Sequence, residues 1–212
     1  MYILCVTRND VVAVNMMVQD WKKRGDKSPI RYYKTIQQVN EHTSEVENSP
    51  FSKKDFLLVF QTDAQAQMMK ENPRTLPVDA THNVTGYNYK LLTIMVIDKN
   101  GKGLCGAWAI SSRENTFIWN LVVQSLRPEA RNIKPEVSMS DDDNAAWNGF
   151  RRKTFTSLKH KLLCWWHVDQ NVQKHCHGSK CKVQVIYYYN HNFRSYNLCS
   201  YVHSVCSYQM FI

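Results

Sequence analysis

No acidic residue occurs after Asp169, although basic residues continue through Lys174, Lys180, Lys182 and Arg194. Across 212 residues, 27 Lys and Arg against 18 Asp and Glu leave a formal charge of +9. Such a surplus favours a polyanionic partner, because bound lysines and arginines release the counterions condensed on nucleic acid. No apolar run approaches the roughly 20 residues that cross a bilayer, so no membrane partner is expected. The amino terminus, Met1 to Arg8, has neither the basic region nor the apolar length of a secretory signal, which predicts an intracellular protein. Cysteine lacks any regular framework. Seven residues, an odd number, lie at irregular spacings, which predicts reduced thiols in place of structural disulfides. There is no glycine-rich phosphate loop, nucleophile elbow or Ser/Cys hydrolase constellation, which sets those enzyme classes aside. The length suits one main domain with a proper core and some additional elements.

What the chain does have is two aspartates in distinctive settings, Leu76-Pro-Val-Asp79-Ala-Thr-His82 and Val137-Ser-Met-Ser-Asp141-Asp-Asp143. Each ends a short apolar run. Neighbouring strands lie about 4.8 Å apart, so carboxylates at matching ends of adjacent strands can share a divalent ion. Paired ions about 3.5–4 Å apart can activate a water or hydroxyl and stabilise the leaving oxygen of a phosphoryl displacement. Magnesium suits the pattern because it prefers hard oxygens and needs only one or two carboxylates plus water and phosphate. The structural alternative is an aspartate capping a helix, and Asp141 to Asp143 do precede a helical-looking stretch, Asn144 to Lys153. Thr81 shares the strand face of Asp79. His82 lies on the opposite face, where it either positions water or phosphate or packs in the core.

The amino-terminal segment carries Val11, Val14, Val18 and Trp21 at helical steps, with Asn9 or Asp10 placed to cap it and the basic run Lys22 to Lys27 to end it. A polar stretch from Gln37 to Lys54 reads as a linker. Residues 1–54 are thus expected to be a helical segment and linker, 55–174 the main domain and 175–212 an atypical tail. Within the main domain, strands are predicted at Phe56–Phe60, Leu76–Ala80, Lys90–Ile97, Leu104–Ile110, Val137–Ser140 and His160–Cys164. The second pair is joined through an Asn-Gly turn at Asp98 to Gly101. Ser111 and Glu114 have capping-box spacing before a helix that buries Phe117, Leu121, Val122 and Leu126. A further helix bears Ala146, Trp147 and Phe150, and another starts near Trp166. From Leu76 the order is three strands, then helix, strand, helix, strand, helix. That is the α/β layout of the ribonuclease H-like mixed sheet, in which the first and fourth of these strands are neighbours. By fold analogy, Asp79 and Asp141 come to one edge.

At these residues the chain resembles the transposase domain of Mutator-like elements (MULE), over about Asp55 to Lys174. The resemblance is carried by Val78-Asp79-Ala-Thr-His82, Leu91 to Gly103, Ala107-Trp-Ala-Ile-Ser111, Met139-Ser-Asp141-Asp-Asp143 and Leu162-Leu-Cys164-Trp-Trp-His167-Val168. It implies a DDE-type transposase, in which two aspartates and a glutamate hold magnesium or manganese and direct DNA strand cleavage and transfer. Asp79 matches the first acid and Asp141 the second, with Asp142 the alternative register. Thr81 and His82 belong to the first block. Cys164 and His167 match a Cys-x-x-His signature whose spacing would suit half a zinc site; His175, Cys176, His177 and Cys181 are the residues that could complete it, and zinc is not expected.

The resemblance also implies a DNA partner and a nuclear location, and self-association is compatible with it. It places a third acid on a helix well beyond the Cys-x-x-His motif, where this sequence has none. A truncated, inactive transposase domain is therefore expected, with a DNA-binding or interaction module lacking chemistry as the alternative. Arg151, Arg152 and Lys153 are the candidate phosphate contacts, against the plain reading of a solvated helix face. The tail fits neither helical nor strand periodicity, apart from a candidate strand at Val183 to Tyr188.

Overall fold

The computed structural model describes residues 10–43, 49–82 and 86–175, with backbone alone for 171–175. The candidate strand at Val183 to Tyr188, Cys176, His177 and Cys181, and the amino terminus before Asp10 lie outside the described residues, as does the side chain of His175.

Seven strands form one mixed sheet: β1 (Ile30–Lys34), β2 (Leu57–Phe60), β3 (Thr75–Thr81), β4 (Lys90–Ile97), β5 (Gly103–Ser111), β6 (Val137–Ser140) and β7 (His160–Leu163), in spatial order β1-β2-β5-β4-β3-β6-β7. The helices are α1 (Asp10–Lys22), α2 (Asp63–Glu71), α3 (Thr116–Ser125), α4 (Pro128–Arg131), α5 (Ala145–Arg151) and α6 (Trp165–His175). β3, β4 and β5 are mutually antiparallel neighbours, whereas β6 and β7 add in parallel beyond β3. This is the mixed α/β architecture of a ribonuclease H-like fold, with the expected adjacency of β3 and β6. Among the described residues, no helix is long and apolar enough to cross a membrane.

Side-chain alternation sorts the sheet into two faces. Leu57, Val59, Leu76, Val78, Leu92, Ile94, Val96, Ala107 and Ala109 point into the main core, which α2, α3, α4 and α5 close with Met69, Ile118, Trp119, Val122, Ala130 and Phe150. Each large apolar side chain so buried contributes about 1.5–3 kcal/mol. The close approach of α3 and α5 requires Gly149: a Cβ there would meet Trp119 Cβ at 2.6 Å and the Thr116 carbonyl at 2.9 Å. On the second face, α1 packs Val18, with Val14 and Trp21, over Ile30, Phe56, Leu58 and Phe60. Val11, placed on the buried stripe by its spacing, is instead 50% exposed among the described residues.

The sheet extends past the expected strands through β1, an edge strand whose alternation is short and whose last residue is a lysine. Lys34 is fully buried. Its ammonium donates to the carbonyls of Thr35 (3.1 Å), Lys53 (3.2 Å) and Asp55, and lies 5.2 Å from the Phe51 ring centroid. Burial lowers its pKa, while the nearby Asp55 carboxylate acts in the opposite sense. Three donors meeting three carbonyls explain how a lysine is tolerated there.

Ser111 and Glu114 do not form the capping box their spacing suggested. Ser111 ends β5, and Asn115 caps α3 by accepting from Ile118 N–H at 2.9 Å. A capping box does occur at α2, where Thr62 and Gln65 satisfy each other's backbone. The Asp98 turn is built as its sequence implies. Asp98 Oδ1 accepts from the N–H groups of Asn100 and Lys102, and Gly101 takes the positive φ of 79°.

Candidate nucleic-acid-processing site

The register of the parallel strands sets the site. Thr75, Leu76 and Pro77 pair with Val137, Ser138 and Met139, so the same offset carried two residues on brings Asp79 level with Asp141. Ser140 pairs with Leu163, which brings Cys164 level with Asp141 on the far side. Adjacent strands are about 4.8 Å apart, and all three residues stand at the edge where β3, β6 and β7 end. Alternation aims Asp79, Thr81, Met139 and Leu162 at the face opposite the main core.

Three contacts define the electrostatics of that face. Thr81 donates its hydroxyl to Asp79 Oδ2 at 3.0 Å. His167, in the first turn of α6, brings Nε2 to 3.5 Å from Asp79 Oδ1. Cys164 is buried with Met139, Leu162 and Trp166, and it starts α6 by accepting from Val168 N–H at 3.1 Å. The Cys164 sulfur beside His167 raises the imidazole pKa; burial opposes this, and Asp79 and Asp141 add to the rise. His167 Nδ1 is buried without a hydrogen bond of ordinary geometry. The Cys-x-x-His motif therefore places its histidine on the first aspartate.

Asp141 is held above the usual carboxylate range, chiefly by burial. His167 and the Asp143 backbone N–H lower it, whereas the charges of Asp143 and Asp79 raise it. Its loop is braced. Asp141 Oδ1 accepts from Asp143 N–H at 3.2 Å and Asp143 Oδ1 from Ala145 N–H at 2.7 Å. Lys161 Nζ donates to the carbonyls of Asp142 (3.1 Å) and Asp143 (2.9 Å) and to Asn144 Oδ1 (3.0 Å). Asp143 thus serves the start of α5, while Asp141 faces Asp79 and His167.

Glu114 is the residue that its spacing with Ser111 concealed. The turn between β5 and α3 carries it, and Arg113 anchors that turn on buried Asp55 (2.7 Å) and the Ser49 carbonyl (3.1 Å). Glu114 Oε2 lies 3.1 Å from His82 Nε2. Burial raises the Glu114 pKa; His82 and the Trp119 indole oppose this, and Asp141 and Asp143 reinforce it. No hydrogen bond of ordinary geometry closes from Trp119 Nε1, which is buried. His82 is consequently neither a core residue nor free: it is half-exposed and tied to a carboxylate beside the second acid. The signal in the sequence was an acidic residue at the parallel end of a strand two places from β3, visible only once the sheet order is known.

Arg151 and Arg152 line a shallow cleft with Thr116 and Asn148. This cleft lies in the α3/α5 layer, on the other side of the sheet from the Asp79 side chain, and Arg151 stacks 5.1 Å over Trp147. Lys153 follows α5 and is exposed.

Carboxylate oxygens such as those of Asp79 and Asp141 are hard donors of the kind that divalent ions take together with water and phosphate. Among the described residues, no group of three or more His, Cys, Asp or Glu side chains is arranged to hold a metal by itself. Residues 75–171 match the model of the MULE transposase domain. No curated protein matches the chain. That family implies DNA as a partner and a divalent metal as cofactor. The matched stretch runs from the start of β3 into α6, contains Asp79, Thr81, His82, Asp141, Cys164 and His167, and supports a transposase-related function.

Proposed function

We propose that this domain binds DNA at a divalent-metal centre founded on Asp79 and Asp141, and that as this chain stands it performs little strand cleavage or transfer. The observation supporting this reading is the parallel register of Thr75 to Pro77 with Val137 to Met139, which, carried two residues on, sets Asp79 level with Asp141 just past the end of β6. Magnesium or manganese bound there would supply Lewis-acid activation of water or a hydroxyl and neutralise charge on phosphate. Asp79 and Asp141 would orient the ion. Thr81 fixes one Asp79 oxygen through its hydroxyl, and His167 holds the other until a cation of greater charge competes for it. The DDE set requires a third acid after the Cys-x-x-His motif. Within these 212 residues no acid follows Asp169, and Glu114 is engaged with His82.

Incubation with supercoiled plasmid and magnesium tests the proposal. Binding with negligible nicking is expected, and efficient nicking that Asp79→Asn abolishes would overturn the limited-cleavage reading. A DNA-binding module without metal is favoured by the charge of +9 and the Arg151/Arg152 cleft. Duplex binding unaffected by chelator, but weakened by Arg151→Ala and Arg152→Ala with a shallower salt dependence, would support it.

A further inference from the structure

Ladder pairing places Phe60, Trp108, Thr93 and Asp79 in one row across β2, β5, β4 and β3. Directly opposed residues project to the same face, so Trp108 shares the face of Asp79 at two strand spacings, about 10 Å away. The members of this row have different surroundings. Phe60 lies under α1, with its ring 5.7 Å from Trp21. Thr93 is fully buried, and the Asp79 side chain is partly screened by His167. Trp108 remains 41% exposed among the described residues. A large rigid aromatic in the middle of a sheet, level with the first acid, is poorly explained by packing.

We infer that Trp108 is a stacking platform for a nucleobase of the DNA whose backbone passes Asp79 and Asp141. This inference rests on the reading of those carboxylates as the DNA-facing centre. The separation matches roughly three base steps at 3.4 Å each. An indole face accepts any base, and an uncharged ring in the row of Asp79 adds affinity without drawing phosphate away from the proposed metal position. Phosphate tracking falls to the basic surface, supported by the net charge of +9. Unpaired bases expose their faces, so the platform favours single-stranded or frayed ends over closed duplex.

The test uses the full chain, with chelator present to prevent cleavage, and compares a short single-stranded oligonucleotide with the blunt duplex of the same sequence. Trp108→Ala is expected to weaken single-strand binding about 10-fold, to affect the duplex less and to leave the slope of log affinity against log salt unchanged, because a stacking contact releases no counterions. Trp108→Phe should restore most of the affinity, which distinguishes stacking from a disturbed fold. Equal affinities for Trp108→Ala and wild type would overturn the platform while leaving the metal-centre reading intact. A wild-type chain that binds neither oligonucleotide in chelator would overturn the platform, and one that still binds neither with calcium in place of chelator would overturn the metal-centre reading as well. Loss in Trp108→Ala without rescue by phenylalanine, accompanied by a change in sedimentation, would assign the ring to a protein interface and also overturn it.

Discussion

His82 Nε2 and Glu114 Oε2 meet at 3.1 Å, tying the block that carries the first acid to the turn that enters α3. Glu114 feels the charges of both Asp141 and Asp143, so it would add negative potential at the proposed metal position. Removing that charge in Glu114→Gln should weaken manganese binding by about twofold to tenfold, the range expected for one partly screened charge several ångströms away. Manganese affinity measured by electron paramagnetic resonance checks this, and unchanged affinity would show that Glu114 serves only to hold His82.

His167 and Asp79 give a pH prediction. The imidazole pKa is raised above its ordinary value of 6.5, so the folded state favours the protonated ring. The resulting stabilisation is complete below about pH 6.5 and is lost as pH rises through the raised folded value. The pair is partly solvated, which limits it to about 1 kcal/mol or less. Histidine ring signals in nuclear magnetic resonance should show His167 titrating above the ordinary value. Asp79→Asn should move that titration down, as should added magnesium; a His167 titration indifferent to both would separate it from the acid.

Lys34 is a structural contact far from the chemistry. Lys34→Met keeps the volume but leaves the carbonyls of Thr35, Lys53 and Asp55 without their shared donor. A loss of about 2–4 kcal/mol follows from orphaned buried acceptors, lowering the melting temperature by roughly 5–15 °C. Thermal unfolding followed by circular dichroism checks it; a melting temperature within 1–2 °C of wild type, about the effect of a neutral surface change, would contradict the buried-donor account.

Gly149→Ala should separate α3 from α5, since the added methyl would overlap Trp119 Cβ and the Thr116 carbonyl. Backbone shifts of this kind cost about 1–3 kcal/mol. The same melting experiment should show a clear decrease, together with altered near-ultraviolet dichroism from Trp119; an unchanged melt would mean that the helices yield without cost.

Much of the frame was legible because it depends on local pattern. Lys90–Ile97 shows an apolar strand directly, and Asp98 to Gly101 shows its turn. The order of strands and helices then brings β3 beside β6, as the sequence pattern leads one to expect. What escaped depends on contacts distant in sequence. β1 ends in a lysine that the carbonyls of Thr35, Lys53 and Asp55 make tolerable. Glu114 fits a capping box by spacing, yet Asn115 takes the cap because the chain must first leave β5 and bind Asp55 through Arg113. The role of His167 is invisible in Cys-x-x-His, since the turn of α6 that returns it to Asp79 exists only after β7 pairs with β6. Trp108 is one aromatic among many until the ladder sets it in the row of Asp79.

The most direct test of the central claim is the stoichiometry and affinity of manganese binding to the wild-type chain, Asp79→Asn and Asp141→Asn, all shown to be folded by circular dichroism. A centre founded on both carboxylates predicts saturable binding in the wild type and at least a tenfold loss in each variant, with Asp142→Asn close to wild type. Equal binding by all four proteins, or loss confined to Asp142→Asn, would contradict the assignment of Asp79 and Asp141.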